Sequence, residues 1–263
     1  MKKIILTVAA ALILLPLQLF AWGQRGHDAV AYIAELNLKP SAKKKIERIL
    51  GNRSIVYYSV WMDIHKQDPG YEILKDCHTA YVDEPTRQHM VSQYKPTGGD
   101  AVTMVGDCWN RLKNYRNLPD SVVVVNLYAL VHILGDMHCP GHVYYESMRP
   151  DLNKYPVTLM GAEMLLHGVW DSGLVDRMHP GWFYTEWGHQ LNKLGKEEIK
   201  EVTAGTPADW FHQTAVDTYI IYDKGTRGAE LGRDYINDMQ PMAERQIQIA
   251  GYRLAHILND IFG

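Results

Sequence analysis

The stretch that most restricts what this chain can fold into is SVVVVNLYALVHILGDMH, residues 121–138. Its valine run taken alone would suit a strand. No turn residue interrupts it before Gly135, however, and its length predicts a buried helix instead. Such a helix carries His132 and Asp136 into an apolar interior. Four residues apart, they share one face of the helix. Burying an imidazole and a carboxylate is costly unless each finds a partner, so the question is what they are paired with.

The residues that follow extend the pattern. In HILGDMHCPGH, Pro140 and Gly141 end the helix and turn the chain back, bringing His142 after it. HGVWD repeats the four-residue spacing with His167 and Asp171. A single His/Asp pair is ordinarily no more than a hydrogen-bonded pair. Two pairs, with His142 beyond a Pro-Gly turn, form a donor set suited to more than one divalent ion. Imidazole mixed with carboxylate suits Zn²⁺, and suits Mn²⁺ or Fe²⁺ less well.

The N-terminus, MKKIILTVAAALILLPLQLFA, has two lysines, an apolar run broken by Pro16 and Gln18, and then Ala21. This is the layout of a secretory signal peptide with cleavage after Ala21, and it predicts a protein that is secreted or periplasmic. No later stretch reads as long and apolar enough to span a bilayer. Removing residues 1–21 takes away Lys2 and Lys3, leaving 25 basic against 30 acidic side chains, a net charge of −5. Bulk charge therefore does not draw this chain to nucleic acid, and any affinity for phosphate has to be local. Three cysteines, Cys77, Cys108 and Cys139, allow one disulfide at most. Cys77 and Cys139 stand beside histidines and have to be considered as thiolate ligands, although the absence of Cys-x-x-Cys weighs against it.

Elsewhere helical signals dominate. KPSAKKKIERIL opens with Pro40 and Ser41 and stops at Gly51. AEMLLHGVWDSGLVDRM and ADWFHQTAVDTYIIYDKG have helical spacing. In AERQIQIAGYRLAHILNDIF, Ile247, Ala250, Leu254 and Ile257 line one stripe. DEPTRQHMVSQYKPTGGD and YYESMRPDLNKYPV read as loops. With no repeat or linker, the prediction is a single all-α domain over residues 22–263, mainly helical with long loops.

The order WGQRGH, SVWMDIHK, CHTAYVD, LVHILGDMHCPGH, LLHGVWDSGLV closely resembles the S-one/P-one family of secreted trinuclear-zinc nucleases, over essentially the whole chain from Trp22. The most specific piece is His-x-x-x-Asp-x-His-x-Pro-x-His, complete from His132 to His142. The resemblance implies the phospholipase C/nuclease-like fold and three Zn²⁺ ions. One ion falls to Asp63, His78, His132 and Asp136. A second falls to the free amine and carbonyl of Trp22, His27 and the bridging Asp136, and a third to His142, His167 and Asp171. Three ions bring +6 and three aspartates −3, a local surplus of about +3 that would draw phosphate to an acidic chain.

The implied activity is zinc-dependent phosphodiester hydrolysis of single-stranded DNA or RNA to 5′-phosphorylated products, with a 3′-nucleotidase activity alongside. Asp63 would orient the attacking water, and Lys66 would meet charge building on the phosphate. The partner is a single-stranded nucleic acid or nucleotide; neither a protein partner nor membrane insertion of the mature chain is implied. His65, His138 and His179 match no ligand position and are expected on the surface or orienting a ligand by hydrogen bond. Trp61 and Trp170 are expected to pack around the cluster.

Several positions depart from the family pattern. Thr79 stands where an aromatic residue usually stacks on a base, which makes Tyr81 the candidate substitute. Cys139 replaces a common Gln, and Asn153 is the remnant of a Gly-Gly-Asn. The competing readings are a zinc-dependent phospholipase C, whose last ligand is typically Glu rather than Asp171, and a non-catalytic zinc-binding protein.

Overall fold

A computed structural model of the chain describes residues 22–91, 99–145 and 155–263. The predicted leader, the middle of each predicted loop and Asn153 lie outside the described residues.

The frame is helical: α1 (Gly23–Leu36), α2 (Pro40–Ile49), α3 (Trp61–His65), α4 (Ala101–Leu112), α5 (Asp120–Met137), α6 (Leu166–Gly168), α7 (Val175–Met178), α8 (Tyr184–Leu191), α9 (Lys196–Val202), α10 (Pro207–Lys224) and α11 (Arg233–Phe262). Local chemistry accounts for many of the ends. Pro40 opens α2, where a missing N–H costs nothing, and Gly51 follows it with φ of 65°. At α10 the Thr206 hydroxyl accepts from the Asp209 N–H while Asp209 accepts back from Thr206 N. Asp100 and Thr103 cap α4 in the same reciprocal way.

Helix α5 is the predicted buried helix, starting after Pro119 with Asp120 in its first turn. One expectation needs correcting. With a mean hydropathy of 1.4 over its 18 residues, α5 is long and apolar enough to cross a membrane. What it crosses is the protein itself, since 67% of that stretch is buried there. Helix α11 also begins ten residues earlier than its apolar stripe suggested, running through Pro241. Its predicted stripe (Ile247, Ala250, Leu254, Ile257) is fully buried. α11 meets α1 closely enough that a Cβ on Gly251 would come within 2.5 Å of Ile33 Cβ.

Two small three-stranded sheets complete the fold. The first has the order β2-β1-β3, from β1 (Ala80–Val82), β2 (His89–Met90) and β3 (Val143–Tyr145). β2 occupies part of a predicted loop. The second has the order β5-β4-β6, from β4 (Pro156–Leu159), β5 (Ala162–Leu165) and β6 (Glu230–Leu231). Residues 162–165 are thus strand where helical spacing was read. They pair antiparallel with β4, Pro156 opposite Leu165 and Leu159 opposite Ala162, and the helix starts only at Leu166. The parallel pairing of β1 with β3, Ala80 opposite Val143, sets the segments that lead into them side by side, and with them His78 and His142.

Candidate metal centre

All nine of the predicted metal-site residues converge at the inner end of α5. Helix α5 contributes His132 and Asp136, α1 contributes His27, and α3 contributes Asp63. His78 and His142 arrive on the segments leading into β1 and β3. His167 and Asp171 come from α6 and the turn after it. That turn, Val169–Gly173, is a π-helix closed by Leu174 N–H to Val169 O at 2.7 Å, a feature that helices often keep at functional sites. It still brings His167 Nε2 within 3.0 Å of Asp171 Oδ2.

Asp136 is the hub. Its Oδ2 lies 2.8 Å from His78 Nδ1 and 3.3 Å from His132 Nε2, and its Oδ1 lies 3.2 Å from His27 Nε2. Asp63 sits 3.8 Å from His78 Nδ1 and 3.6 Å from His132 Nε2. On the far side, His142 Nε2 is 3.1 Å from Asp171 Oδ1. The rings of His27 and His132 stack at 4.0 Å, and those of His142 and His167 at 4.7 Å. A side chain at Gly135 would prevent this approach, because its Cβ would fall 2.8 Å from His27 Nδ1.

Three backbone carbonyls aim the imidazoles. Nδ1–H of His132 donates to Ser59 O at 2.7 Å, that of His142 to His78 O at 2.6 Å, and that of His167 to Gly141 O at 3.0 Å. A carbonyl only accepts, so each Nδ1 carries the proton and each Nε2 turns its lone pair into the cluster. These carbonyl partners are the functional groups that the sequence did not disclose, for a carbonyl has no residue-type signature.

Ionisation follows the same geometry. Burial pushes the His27 and His78 imidazoles below their ordinary range. Burial acts on His132 as well, but Asp136 and Asp63 outweigh it and hold that imidazole up at about 9. Burial would raise Asp136, yet the facing histidines, His132 foremost, hold it well below the usual carboxylate range.

Whether the residues fit metal is decided by what hydrogen bonding leaves over. Among the described residues, buried side-chain atoms without a hydrogen-bond partner are His27 Nδ1 and Nε2, Asp63 Oδ2, His78 Nε2, Asp136 Oδ1, Asp171 Oδ2, and the Nε1 atoms of Trp22 and Trp187. Most belong to one cluster. Each orphaned group costs about 1–3 kcal/mol, and gathering so many in one place is the pattern of a ligand site rather than of a core. Three groups have ligand atoms within 4.8 Å of one another, all buried: His27, His132 and Asp136; Asp63, His78 and His132; and Cys139, His142 and Asp171.

The other expectations divide. Lys66 Nζ donates to Asp63 Oδ1 at 2.8 Å, at the rim of the cluster. Trp22 is fully buried with φ of 47°, and its carbonyl accepts the Gly26 N–H at 3.1 Å as the first bond of α1. Trp170 is buried and donates to Tyr235 Oη at 3.0 Å, whereas Trp61 is only half-buried, lying against Tyr128 and His65. Tyr81 offers no stacking face: only 3% exposed, it lies in β1 with its ring edge-on to Tyr144. None of the three other histidines orients a ligand. His65 pairs with Asp68, His179 pairs with Glu244 and stacks on Trp182, and His138 turns away to Leu134 O and Arg253. All three cysteines are buried, and none of them is joined in a disulfide.

The S1/P1 nuclease family model matches residues 22–263. Nuclease S1 of Aspergillus oryzae is 26% identical, covering 95% of each chain. Endonuclease 2 of Arabidopsis thaliana is 26% identical over 92% of this chain and 91% of its own, and nuclease P1 of Penicillium citrinum is 24% identical over 92% and 98%.

Proposed function

This chain belongs to the S1/P1 nuclease family, and from that premise we propose that it is a zinc-dependent enzyme cleaving single-stranded nucleic acid to 5′-phosphorylated products. That it is a hydrolase of the nuclease kind follows from the family. A phospholipase C reading has no support among the relatives, which are nucleases and endonucleases. The observation that carries the finer reading is the set of buried, unpartnered donor atoms around Asp136.

Three zinc ions would be divided as follows: Asp63, His78, His132 and Asp136 for one; Trp22, His27 and Asp136 for the second; His142, His167 and Asp171 for the third. Bound there, zinc supplies Lewis acidity to the phosphoryl group and lowers the pKa of water. The remaining work falls to the chain. The carbonyls of Ser59, His78 and Gly141 hold the proton of His132, His142 and His167 on Nδ1, leaving Nε2 as the nitrogen offered to a cation; an imidazole that ligates through Nε2 is neutral and would not cancel the charge of the ion. With ions held there, the positive surplus would draw phosphate to a chain that is acidic overall. Asp63 Oδ2 has no hydrogen-bond partner and can accept from an attacking water, while Lys66 beside it faces the charge that builds on the phosphate. The role for the Trp22 amine requires export and cleavage after Ala21, since an amide nitrogen has no lone pair to give. The family match begins at that residue.

The test is digestion of a single-stranded oligonucleotide by protein starting at Trp22, with and without a chelator, the product ends read by mass spectrometry. Chelator-sensitive release of 5′-phosphorylated products is expected. Products ending in 3′-phosphate, or cleavage indifferent to the chelator, would overturn the reading.

A further inference from the structure

The third of the buried donor groups is not the one that the family pattern supplies. Cys139, where Gln is common, brings its sulfur together with His142 and Asp171, the ligand atoms all within 4.8 Å of one another. Cys139 follows directly on α5, its N–H bound to Asp136 O at 2.9 Å, and the turn through Pro140 and Gly141 carries the chain from the sulfur to His142. The thiol is fully buried and forms no disulfide. In the metal-free protein burial, and Asp171 after it, push the thiol up, while the backbone N–H groups of Gly141 and Trp22 act the other way. Gly141 lets this turn pack against Trp170, whose Cβ would lie 2.8 Å from a Cβ placed there. Independently of the cysteine, Asp171 Oδ2 is buried in the same cluster, 3.0 Å from His167 Nε2 but with no hydrogen bond of good geometry.

We propose that the Cys139 thiolate is a ligand of the ion held by His142 and Asp171, giving that position a sulfur donor absent from the other two. The inference rests on the metal-centre reading above. On binding, the thiol proton leaves to solvent and the metal takes its place, as metal-ligating thiols require. The extra negative charge lowers the local surplus from about +3 to about +2. A thiolate also favours Zn²⁺ over Mg²⁺ or Mn²⁺, which prefer oxygen. The third ion is then the most tightly selected of the three and the weakest electrophile.

The sulfur can be seen without activity. Zinc-edge X-ray absorption of wild-type protein starting at Trp22 is expected to contain a sulfur scatterer at about 2.3 Å beside the nitrogen and oxygen shell at about 2.0–2.2 Å. Cobalt-substituted protein should show a near-ultraviolet thiolate-to-metal band that Cys139→Ser abolishes. In dialysis against a chelator, Cys139→Ser should lose one zinc equivalent at least about tenfold more readily than wild type, with circular dichroism confirming its fold. Zinc-loaded wild type with nitrogen and oxygen scatterers only, and no cobalt–thiolate band, would overturn the sulfur ligand while leaving the metal centre standing. A correctly cleaved protein that takes up neither metal would overturn both.

Discussion

Helix α5 ends between two buried polar clusters, and they differ in one respect. Beyond its last turn, His138 donates from Nδ1 to Leu134 O at 2.7 Å and accepts at Nε2 from Arg253 Nη1 at 2.7 Å. Arg253 also donates from Nε to Val202 O at 2.7 Å, reaches Gln213 with Nη2, and lies over the Trp210 ring. Every hydrogen-bonding atom of the histidine is matched by protein. Around Asp136, two residues back, polar atoms are buried just as deeply and several have no hydrogen-bond partner. The first cluster is complete as folded; the second is complete only with ligands. Burial of a histidine thus says little about its role until its nitrogens are accounted for.

The comparison breaks most visibly at the hub. Asp136→Asn should release more than one zinc equivalent and lower phosphodiesterase activity by about a thousandfold or more, because several kcal/mol of charge stabilisation goes with the ions. Loss of one equivalent or none, by elemental analysis, would sink the bridging role. Lys66→Met should lower kcat by about a hundredfold with zinc content unchanged, the loss expected for one positioned donor of charge stabilisation. A residue left ahead of Trp22 should remove one zinc equivalent, and full occupancy in such a protein would contradict the amine ligand.

The complete cluster should respond in the opposite way. Arg253→Met leaves the acceptors on His138, Val202 and Gln213 unpaired, costing about 2–4 kcal/mol in denaturant unfolding, while the folded fraction keeps its full zinc content. The smallest effect is expected at Asp28, whose carboxylate burial pushes up to about 6 despite the Ser59 hydroxyl that it accepts. A carboxyl raised in the folded state contributes stability that is fully present below its unfolded value of 3.8 and is lost as pH rises through about 6. Asp28→Asn should therefore stabilise metal-free protein by up to about 1–2 kcal/mol at pH 7, and the gain should vanish near pH 4.

The sequence disclosed what lies along one element. His132 with Asp136 and His167 with Asp171 were readable because four-residue spacing fixes a face, and α5 because an apolar run of that length has few other uses. Asp63, His78, His27 and Trp22 have no such local signal and were reached only through resemblance. The Ser59 and Gly141 carbonyls were not readable at all, nor was the parallel β1–β3 pairing that sets His78 beside His142, since both depend on segments distant in the chain. His138 was misjudged for a related reason. Standing two residues after Asp136, it suggested a role in orienting ligands, but its true partner lies 115 residues away in α11. Tyr81 failed as a stacking residue because pairing within the small sheet buries it. Cys139 could be weighed only as a cysteine near histidines until the turn at Pro140 brought it to Asp171.

The most direct test of the central claim, that the unmatched atoms around Asp136 are metal ligands, is the zinc content of purified protein starting at Trp22, measured by elemental analysis after exhaustive dialysis. Three equivalents per chain are expected. A folded protein that retains none would mean that the buried aspartates and histidines are matched in some way other than by metal, and would contradict the account.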